Sequence, residues 1–215
     1  MMKKRIVIID DHPIVRQGFA QLINREQDLE TVGEAEDSAS ASRIIEELSP
    51  DLALIDLSLK ESNGLELIKN LAATHEELRM LVISLHDEKV YAERALRAGA
   101  KGYVMKSEAT QKVLTAIRKV LDGEVYLSDQ MHDQIVERFT GGQKGEGSPI
   151  DVLSDREFEV FQLIGSGLQT SKIADQLSLS VKTIETYKSH IKTKLGLDSG
   201  TELMQRAVEW DLSQR

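Results

Sequence analysis

The chain has 215 residues, 40% of them hydrophobic, and a formal net charge of -9 at pH 7. This composition suffices for one large or two small globular domains, and so acidic a chain is not expected to coat nucleic acid nonspecifically. The absence of cysteine excludes disulfides and thiolate metal sites. No apolar run approaches the roughly 20 residues that span a bilayer, so we expect a cytoplasmic protein without a membrane partner.

The N-terminal part of the chain alternates between short apolar runs and amphipathic helical patterns. The runs predict buried strands over residues 6–9, 52–55, 80–83 and 103–105, and a weaker strand pattern lies near residues 31–35. Helical patterns separate the strands, and one more follows the last. Pro13 suits a first helical turn, and Gly99 suits a helix C-terminus. The pattern predicts an α/β domain over residues 1–125, with a parallel five-stranded sheet and helices on both faces.

Residues 126–149 predict a linker between two domains. A helical pattern near residues 129–139 runs into the glycine-rich stretch FTGGQKGEGSP, which has no apolar period. Beyond the linker, residues 150–215 predict a small all-α domain.

Two capping boxes predict helix starts in this second domain: Ser154 with Glu157, and Ser199 with Glu202. Between them we predict a short helix near residues 170–177, a tight SLS connection and a longer helix over residues 181–195, followed by a last helix over about 201–210. The middle pair of helices predicts a helix-turn-helix.

Polar side chains stand at the carboxyl ends of four predicted strands. Asp10 and Asp11 follow the first strand, Asp56 the third, Ser84 the fourth and Lys106 the fifth. In an open parallel sheet, ligands bind beyond these ends. The flavodoxin-like strand order 2-1-3-4-5, which we assume from the fold class, brings all five side chains to one crevice.

Three carboxylates in one crevice repel one another, by roughly 4 kcal/mol per pair at ~4 Å and an effective dielectric near 20, so a cation is expected among them. Oxygen ligands favour Mg²⁺ or Mn²⁺. Lys106 and the Ser84 hydroxyl would complete a cradle for a tetrahedral anion. Each of these residues alone is more often a turn, a cap or a solvated charge, but four strand ends together favour a site that transfers a phosphoryl group.

Asp10-Asp11, Asp56, Ser84 and Lys106, in this order and on these strands, resemble the receiver domain of two-component response regulators. The resemblance implies that Asp56 is the phosphoacceptor and that a sensor histidine kinase supplies the phosphoryl group. It also implies that Ser84 bonds the phosphoryl group and that Lys106 neutralises it.

The same resemblance assigns a metal shell and an aromatic switch. Mg²⁺ (or Mn²⁺) would be held by Asp10, Asp11, Asp56 and the backbone carbonyl of Ser58. Tyr103 would be the switch residue that turns inward on phosphorylation. The chain departs from the family at Lys60, where proline is frequent, and this concerns the turn after Asp56.

The predicted helix over residues 181–195 carries a local basic strip. Its apolar face is expected to dock on the domain, which leaves lysines for phosphates, and hydroxyls and a carboxylate for base edges in a major groove. The candidate DNA contacts are Lys182, Glu185, Thr186, Lys188, Ser189 and Lys192. A solvated amphipathic helix is the alternative for the helix taken alone.

LSDREFEVFQLIGSG, SKIADQLSLSVKTIETYKSHIKTKLGL and TELMQRAV resemble the four-helix LuxR-type DNA-binding domain. Joined to a receiver domain, this is the layout of the NarL/FixJ class of response regulators. The resemblance implies that the helix over residues 181–195 enters the major groove of promoter DNA and that the last helix pairs two subunits. We therefore expect phosphorylation to switch transcription through release of this helix, through homodimer formation, or through both.

Two other functions fit parts of the sequence. A phosphatase or phosphotransferase with an aspartyl-phosphate intermediate would share the acidic crevice. Enzymes of the haloacid-dehalogenase type, however, usually carry a second aspartate where this chain has Ser58, and the first domain has no inserted cap. A receiver that acts through protein contacts alone is the third possibility. We expect the regulator, which accepts a phosphoryl group without being a turnover enzyme.

Overall fold

The computed structural model describes residues 2–59, 62–108, 110–133 and 149–213. The chain forms two compact units, Met1–Gly142 and Gln143–Arg215. Residues 129–133 are helical, whereas the rest of the predicted linker helix and all but the last residue of the glycine-rich stretch lie outside the described residues. The domain boundaries given above therefore stay a prediction.

Strands and helices alternate along the first unit, as predicted. Its elements are β1 (Lys4–Ile9), α1 (Pro13–Asn24), β2 (Leu29–Ala35), α2 (Ser38–Leu48), β3 (Leu52–Ile55), β4 (Ser58–Leu59), β5 (Ser62–Asn63), α3 (Gly64–Thr74), β6 (Arg79–Ser84), α4 (Glu88–Ala98), β7 (Gly102–Met105) and α5 (Thr110–Leu121). The sequence analysis did not predict β4 and β5, which pair antiparallel with each other.

The main sheet has the strand order β2-β1-β3-β6-β7, and all four pairings are parallel. This is the predicted flavodoxin-like order once the small β4-β5 hairpin is set aside, so the predicted fold class is confirmed. Residues 6–9 of β1 and all of β3 are completely buried. Central parallel strands are covered on both faces, which is why these runs are apolar without alternation.

The predicted helix boundaries in this unit have visible local causes. Pro13 occupies the first turn of α1, where its missing N–H costs nothing. Gly99 ends α4 with a φ of 118°, in the left-handed region that favours glycine. The loop between β1 and α1 therefore lies at the carboxyl ends of the parallel strands, and the loop between α4 and β7 lies at their amino ends.

The second unit is all helical in the part that the structure describes. A short 3-10 helix over Pro149–Val152 precedes α6 (Asp155–Gly165), α7 (Thr170–Gln176), α8 (Val181–Leu195) and α9 (Gly200–Ser213). A Cβ at Gly165 would lie 2.6 Å from the backbone oxygen of Ala207, so α6 and α9 pack almost backbone to backbone. Phe158 and Phe161 are buried and lie against Trp210, the chain's only tryptophan.

Both predicted capping pairs start helices, but only the first is reciprocal. The Ser154 N–H donates to Glu157 Oε2 at 2.8 Å, and the Ser154 side chain accepts from the Glu157 N–H. The Ser199 hydroxyl likewise accepts from the Glu202 N–H, but the Glu202 carboxylate accepts from the N–H of Asp198 instead. In the second pair, the bond to the glutamate carboxylate therefore comes from the residue before the N-cap.

Glu157 also connects two helices of this unit. Lys194 in α8 donates to Glu157 Oε2 at 2.7 Å. Burial raises the pKa of Glu157, but the hydrogen bonds from Lys194 and Ser154 outweigh it and lower the pKa overall. The carboxylate therefore stays ionised and holds the start of α6 against the end of α8. Among the described residues, no helix has both the length and the apolar character that a bilayer crossing requires.

Candidate functional site

The structure brings the polar strand ends together at the carboxyl edge of the main sheet. Hydrogen bonds between neighbouring strands continue into the residues that follow the strands. The Asp56 N–H donates to the Ile9 oxygen at 2.8 Å, and the Lys106 N–H donates to the Ser84 oxygen at 2.8 Å. Asp10 likewise donates to the Ala35 oxygen at 3.1 Å. The acidic crevice expected from the strand order is therefore present.

Lys106 lies between two buried carboxylates. Its Nζ is 2.6 Å from Asp10 Oδ2 and 2.6 Å from Asp56 Oδ2, and the side chains of the two aspartates are 1% and 2% exposed. Burial raises the pKa of Asp56, the charge of Asp10 raises it further, and Lys106 opposes both. Burial lowers the pKa of Lys106, but the two carboxylates raise it overall. The ammonium group is thus the internal counter-charge of the crevice.

Asp11 and His12 form the outer edge of the crevice. His12 Nδ1 is 2.6 Å from Asp11 Oδ1 and 3.3 Å from Asp10 Oδ1. The His12 N–H also donates to Asp10 Oδ1 at 2.8 Å. The sequence analysis did not name His12 as a site residue. The signal that was available is its position directly after two strand-end carboxylates.

The donor set of this crevice fits a hard divalent cation. Oxygens of Asp10, Asp11 and Asp56 and a nitrogen of His12 all lie within 4.8 Å of one another. Asp56 Oδ1 is buried and accepts no hydrogen bond from the described residues. One ammonium group offsets only part of the charge of three carboxylates, so a further cation would stabilise the crevice.

Ser58 lies in β4, two residues beyond Asp56, and its hydroxyl oxygen is 2.9 Å from His86 Nε2. This contact ties the loop after β3 to the loop after β6. The role of the Ser58 carbonyl as a metal ligand stays a prediction, and Lys60 lies outside the described residues.

Ser84 and Tyr103 meet at one residue behind the crevice. The buried Ser84 hydroxyl accepts a hydrogen bond from the His86 N–H at 3.3 Å, and the Tyr103 hydroxyl donates to the His86 oxygen at 2.8 Å. The Tyr103 ring is buried, which raises the pKa of its hydroxyl. The ring that we expect to turn inward on phosphorylation is therefore already inside in this structure.

Gly64 begins α3 in contact with the backbone that carries Asp56. Its N–H donates to the Leu57 oxygen at 3.0 Å. A Cβ at this position would lie 2.4 Å from the Asp56 carbonyl oxygen and 2.6 Å from the Leu57 Cα. Both atoms belong to the backbone, so no side-chain rotation would relieve the overlap.

We expect Gly64→Ala to lower the free energy of unfolding of the first unit by about 3 kcal/mol, because the backbone around Asp56 must shift to admit the methyl group. Gly18→Ala is the matched control. A Cβ at Gly18, inside α1, meets nothing within 4 Å, so alanine there should stabilise by about 0.5 to 1 kcal/mol through helix propensity. Urea unfolding followed by circular dichroism measures both, and equal stabilities for the two variants would contradict the prediction.

The six predicted DNA contacts all lie on α8, whose apolar side faces the core of the second unit. Ile184 and Ile191 are completely buried, which confirms the predicted division of the helix into two faces. Ser180 caps α8 by accepting from the Thr183 N–H, and Gly196 ends it with a φ of 65°. Lys182, Glu185, Thr186 and Ser189 are exposed, whereas Lys188 and Lys192 are half-buried.

Two of the predicted DNA contacts bind each other. Lys188 Nζ donates to Glu185 Oε1 at 2.8 Å and to the hydroxyl of Thr170 at 3.1 Å. The Thr170 hydroxyl in turn donates to Glu185 Oε1 at 3.1 Å. The hydrogen bond from Lys188 lowers the pKa of Glu185. This cluster joins the first residue of α7 to α8, and so it holds the angle of the helix-turn-helix.

Each of the two units matches a known protein family. Residues 6–118 match the family model of the response regulator receiver domain, and residues 151–207 match that of bacterial regulatory proteins of the luxR family. The oxygen regulatory protein NreC of Staphylococcus aureus is 37% identical to this chain over 210 residues, which are 95% of this chain and 97% of that protein.

Solved structures give the same result. The RcsB response regulator of Salmonella typhimurium superposes with a TM-score of 0.69 at 26% identity, over 97% of this chain and 98% of that one. RcsB bound to a promoter in the presence of the phosphomimetic BeF3- has a TM-score of 0.63 at 26% identity, over 96% and 98%. A LuxR-family response regulator from an Aurantimonas species has a TM-score of 0.60 at 34% identity, over 64% of this chain and 99% of that one.

Proposed function

The chain belongs to the LuxR-family response regulators, which join a receiver domain to a helix-turn-helix domain, and from this premise we propose that phosphorylation of Asp56 controls its binding to promoter DNA. The observation that carries this proposal is the buried Asp56, with Lys106 at 2.6 Å from one carboxylate oxygen and no hydrogen bond to the other within the described chain. Such a carboxylate has one oxygen held by Lys106 and one oxygen that accepts no hydrogen bond from the described residues.

Phosphorylation forms a bond between a carboxylate oxygen of Asp56 and phosphorus while the bond from phosphorus to the donor breaks. We take the donor to be the phosphohistidine of a sensor histidine kinase, whose imidazole leaves with its electron pair. Asp10, Asp11, Asp56 and the backbone carbonyl of Ser58 would hold Mg²⁺ (or Mn²⁺). When bound, that ion supplies positive charge to the phosphoryl oxygens. Lys106 would supply a second positive charge, from its position beside Asp56 Oδ2.

The contacts of His86 suggest how the phosphoryl group would be sensed. Ser84 accepts from the His86 N–H, so a Ser84 side chain whose oxygen moves away from His86 to donate to a phosphoryl oxygen gives up that bond. Tyr103 holds the carbonyl of the same residue. The movement of one serine side chain would thereby change the loop that leads into α4, and the phosphoryl group would bias an existing conformation of that loop.

The second unit would then present α8 to the major groove. Exposed Lys182 and half-buried Lys192 would contact phosphates, while Thr186, Ser189 and the Glu185 carboxylate would read base edges. RcsB is a relative bound to promoters, in one structure as two dimers on two DNAs. By that analogy we propose promoter DNA as the ligand and a homodimer as the phosphorylated form. We further propose that this regulator works in the cytoplasm and performs no turnover catalysis.

The experiment that tests this function measures DNA binding of the full chain with Mg²⁺, with and without a small phosphodonor. Genomic fragments recovered with the phosphorylated chain would be sequenced, and one fragment would then be titrated. Phosphorylation should tighten binding about tenfold, within the usual range of allosteric coupling. Binding should also weaken as salt rises, and Lys182→Ala should reduce the salt slope by about one.

The control variant is Lys112→Ala, which removes an exposed lysine from the first unit and should leave DNA binding unchanged. Equal affinity with and without phosphodonor, in a chain shown to be phosphorylated, would contradict the switch. Steady release of phosphate from phosphate esters would instead favour a phosphatase.

A further inference from the structure

We propose that His12 is a metal ligand of the acidic crevice, so that the crevice binds a first-row transition-metal ion such as Co²⁺, Ni²⁺ or Zn²⁺ more tightly than Mg²⁺. This inference rests on the proposed function only in that both use the carboxylates of Asp10, Asp11 and Asp56. His12 adds a nitrogen ligand to a set of oxygen ligands, and a mixed set of this kind favours a different class of cation.

The position of the His12 imidazole carries the first part of the argument. Its Nδ1 is 2.6 Å from Asp11 Oδ1 and 3.3 Å from Asp10 Oδ1, although the ring is 60% exposed and has room to turn to solvent. The backbone favours this position, because the His12 N–H donates to Asp10 Oδ1. Since His12 precedes the rigid first turn of α1 at Pro13, its Cα cannot move far from the two carboxylates.

The second observation is independent of His12. Asp56 is almost completely buried, and its Oδ1 accepts no hydrogen bond from the described residues. Lys106 contacts the Oδ2 atoms of Asp56 and Asp10. A buried carboxylate oxygen without a partner is costly unless a cation completes its surroundings.

The chemistry of the donor set decides which cation. Mg²⁺ prefers oxygen ligands and retained waters, so an imidazole gives it little. Imidazole suits the later first-row ions, whose affinities also rise along the series towards Cu²⁺. Three carboxylate oxygens and one imidazole nitrogen within 4.8 Å of one another form a ligand set for such an ion. The neutral ring would bind through Nδ1 with its proton on Nε2.

His12→Asn tests the proposal with little risk to the fold. His12 is the N-cap residue of α1 and makes no side-chain cap hydrogen bond, and asparagine is among the best N-cap residues. His190→Asn is the matched control. Its ring is 58% exposed and its Nδ1 lies 3.6 Å from a carboxylate oxygen of Glu157, so it resembles His12 in exposure and in its acidic neighbour.

Calorimetric titration of the metal-free full-length wild type, His12→Asn and His190→Asn with Ni²⁺ and with Mg²⁺ would give six affinities to compare. His12→Asn should weaken Ni²⁺ binding at least about tenfold and leave Mg²⁺ binding within about twofold, while His190→Asn should change neither. In the chain loaded with Co²⁺, proton NMR should show one strongly shifted imidazole N–H resonance that His12→Asn removes.

Equal Ni²⁺ affinity in the wild type and His12→Asn, or a Co²⁺ spectrum without an imidazole resonance, would overturn the proposal. Such a result would leave the Mg²⁺-dependent phosphorylation of Asp56 intact. If the wild type binds neither Mg²⁺ nor Ni²⁺, the crevice is no metal site, and the proposed function loses its metal as well. The two failures are therefore distinguishable.

Discussion

Asp56→Asn should reduce labelling of the full chain by acetyl phosphate and Mg²⁺ to background. The amide oxygen of asparagine is a much weaker nucleophile than a carboxylate oxygen, and Asp56 has Lys106 beside one carboxylate oxygen and no hydrogen bond from the described residues to the other. Intact-mass spectrometry would measure the loss, because one phosphoryl group changes the mass of the whole chain.

Asp51→Asn is the control at the other end of β3. Asp51 accepts hydrogen bonds from the Arg5 N–H and from Lys4 Nζ, far from the crevice along the same strand. Its labelling should equal that of the wild type. Undiminished labelling of Asp56→Asn would refute Asp56 as the phosphoacceptor, and a peptide map would show which carboxylate had replaced it.

The same variant should be more stable than the wild type in the absence of divalent cations. Burial raises the folded-state pKa of Asp56 above its ordinary value of 3.8, so the wild type loses stability as the pH rises through the folded-state pKa. Asparagine does not ionise and avoids that loss. The difference between the two proteins should therefore shrink towards pH 3.

The features of this fold that depend on long periodic stretches were predictable from the sequence. Buried strands covered on both faces are apolar without alternation, and the apolar runs of β1, β3, β6 and β7 were found for that reason. The edge strand β2 is mostly half-buried and mixes polar with apolar residues, so its pattern was weaker. The β4-β5 hairpin was missed because its strands have two residues each, too few for any period to show. Helix ends set by a local residue, such as Pro13 or Gly99, were also readable.

The candidate site divides in the same way. Asp10, Asp56 and Lys106 were predicted as site residues from their positions at strand ends, because a parallel sheet brings the carboxyl ends of its strands together. What the sequence could not give is the pairing of side chains within each unit. The contact of Lys188 with Glu185 and Thr170 depends on the angle between α7 and α8, and the contact of His12 with Asp11 depends on one side-chain rotamer.

Lys106→Met should lower the free energy of unfolding of the first unit by about 3 to 5 kcal/mol at pH 7 without divalent cations. The methionine side chain fills much of the volume of the lysine stem, so little of this loss comes from a cavity. The loss comes from Asp10 and Asp56, both buried and both deprived of the ammonium group that lies 2.6 Å from each. Lys112→Met, at an exposed ion pair with Glu108, should change stability by less than about 1 kcal/mol.

Mg²⁺ should restore much of the stability of Lys106→Met. An ion that binds only the folded chain stabilises it by about 2.7 kcal/mol at one hundred times its dissociation constant. The ion should also bind the variant more tightly than the wild type, because Lys106 no longer competes for the same carboxylates. Urea unfolding without Mg²⁺ and at a series of Mg²⁺ concentrations would measure both effects. Equal stabilisation of the variant and the wild type would contradict competition between Lys106 and Mg²⁺ for the carboxylates.

The double variant Asp56→Asn with Lys106→Met separates charge from packing. If the cost of losing Lys106 is the repulsion and desolvation of two carboxylates, then removing one carboxylate should recover a large part of it, and the two substitutions should be strongly non-additive. If the cost is lost packing of the lysine stem, the effects should add, because asparagine restores no volume at position 106. Additive effects would mean that the ammonium group is a minor contributor to the stability of the crevice. Non-additive effects would identify Lys106 as the counter-charge that allows Asp56 to stay ionised in the folded chain.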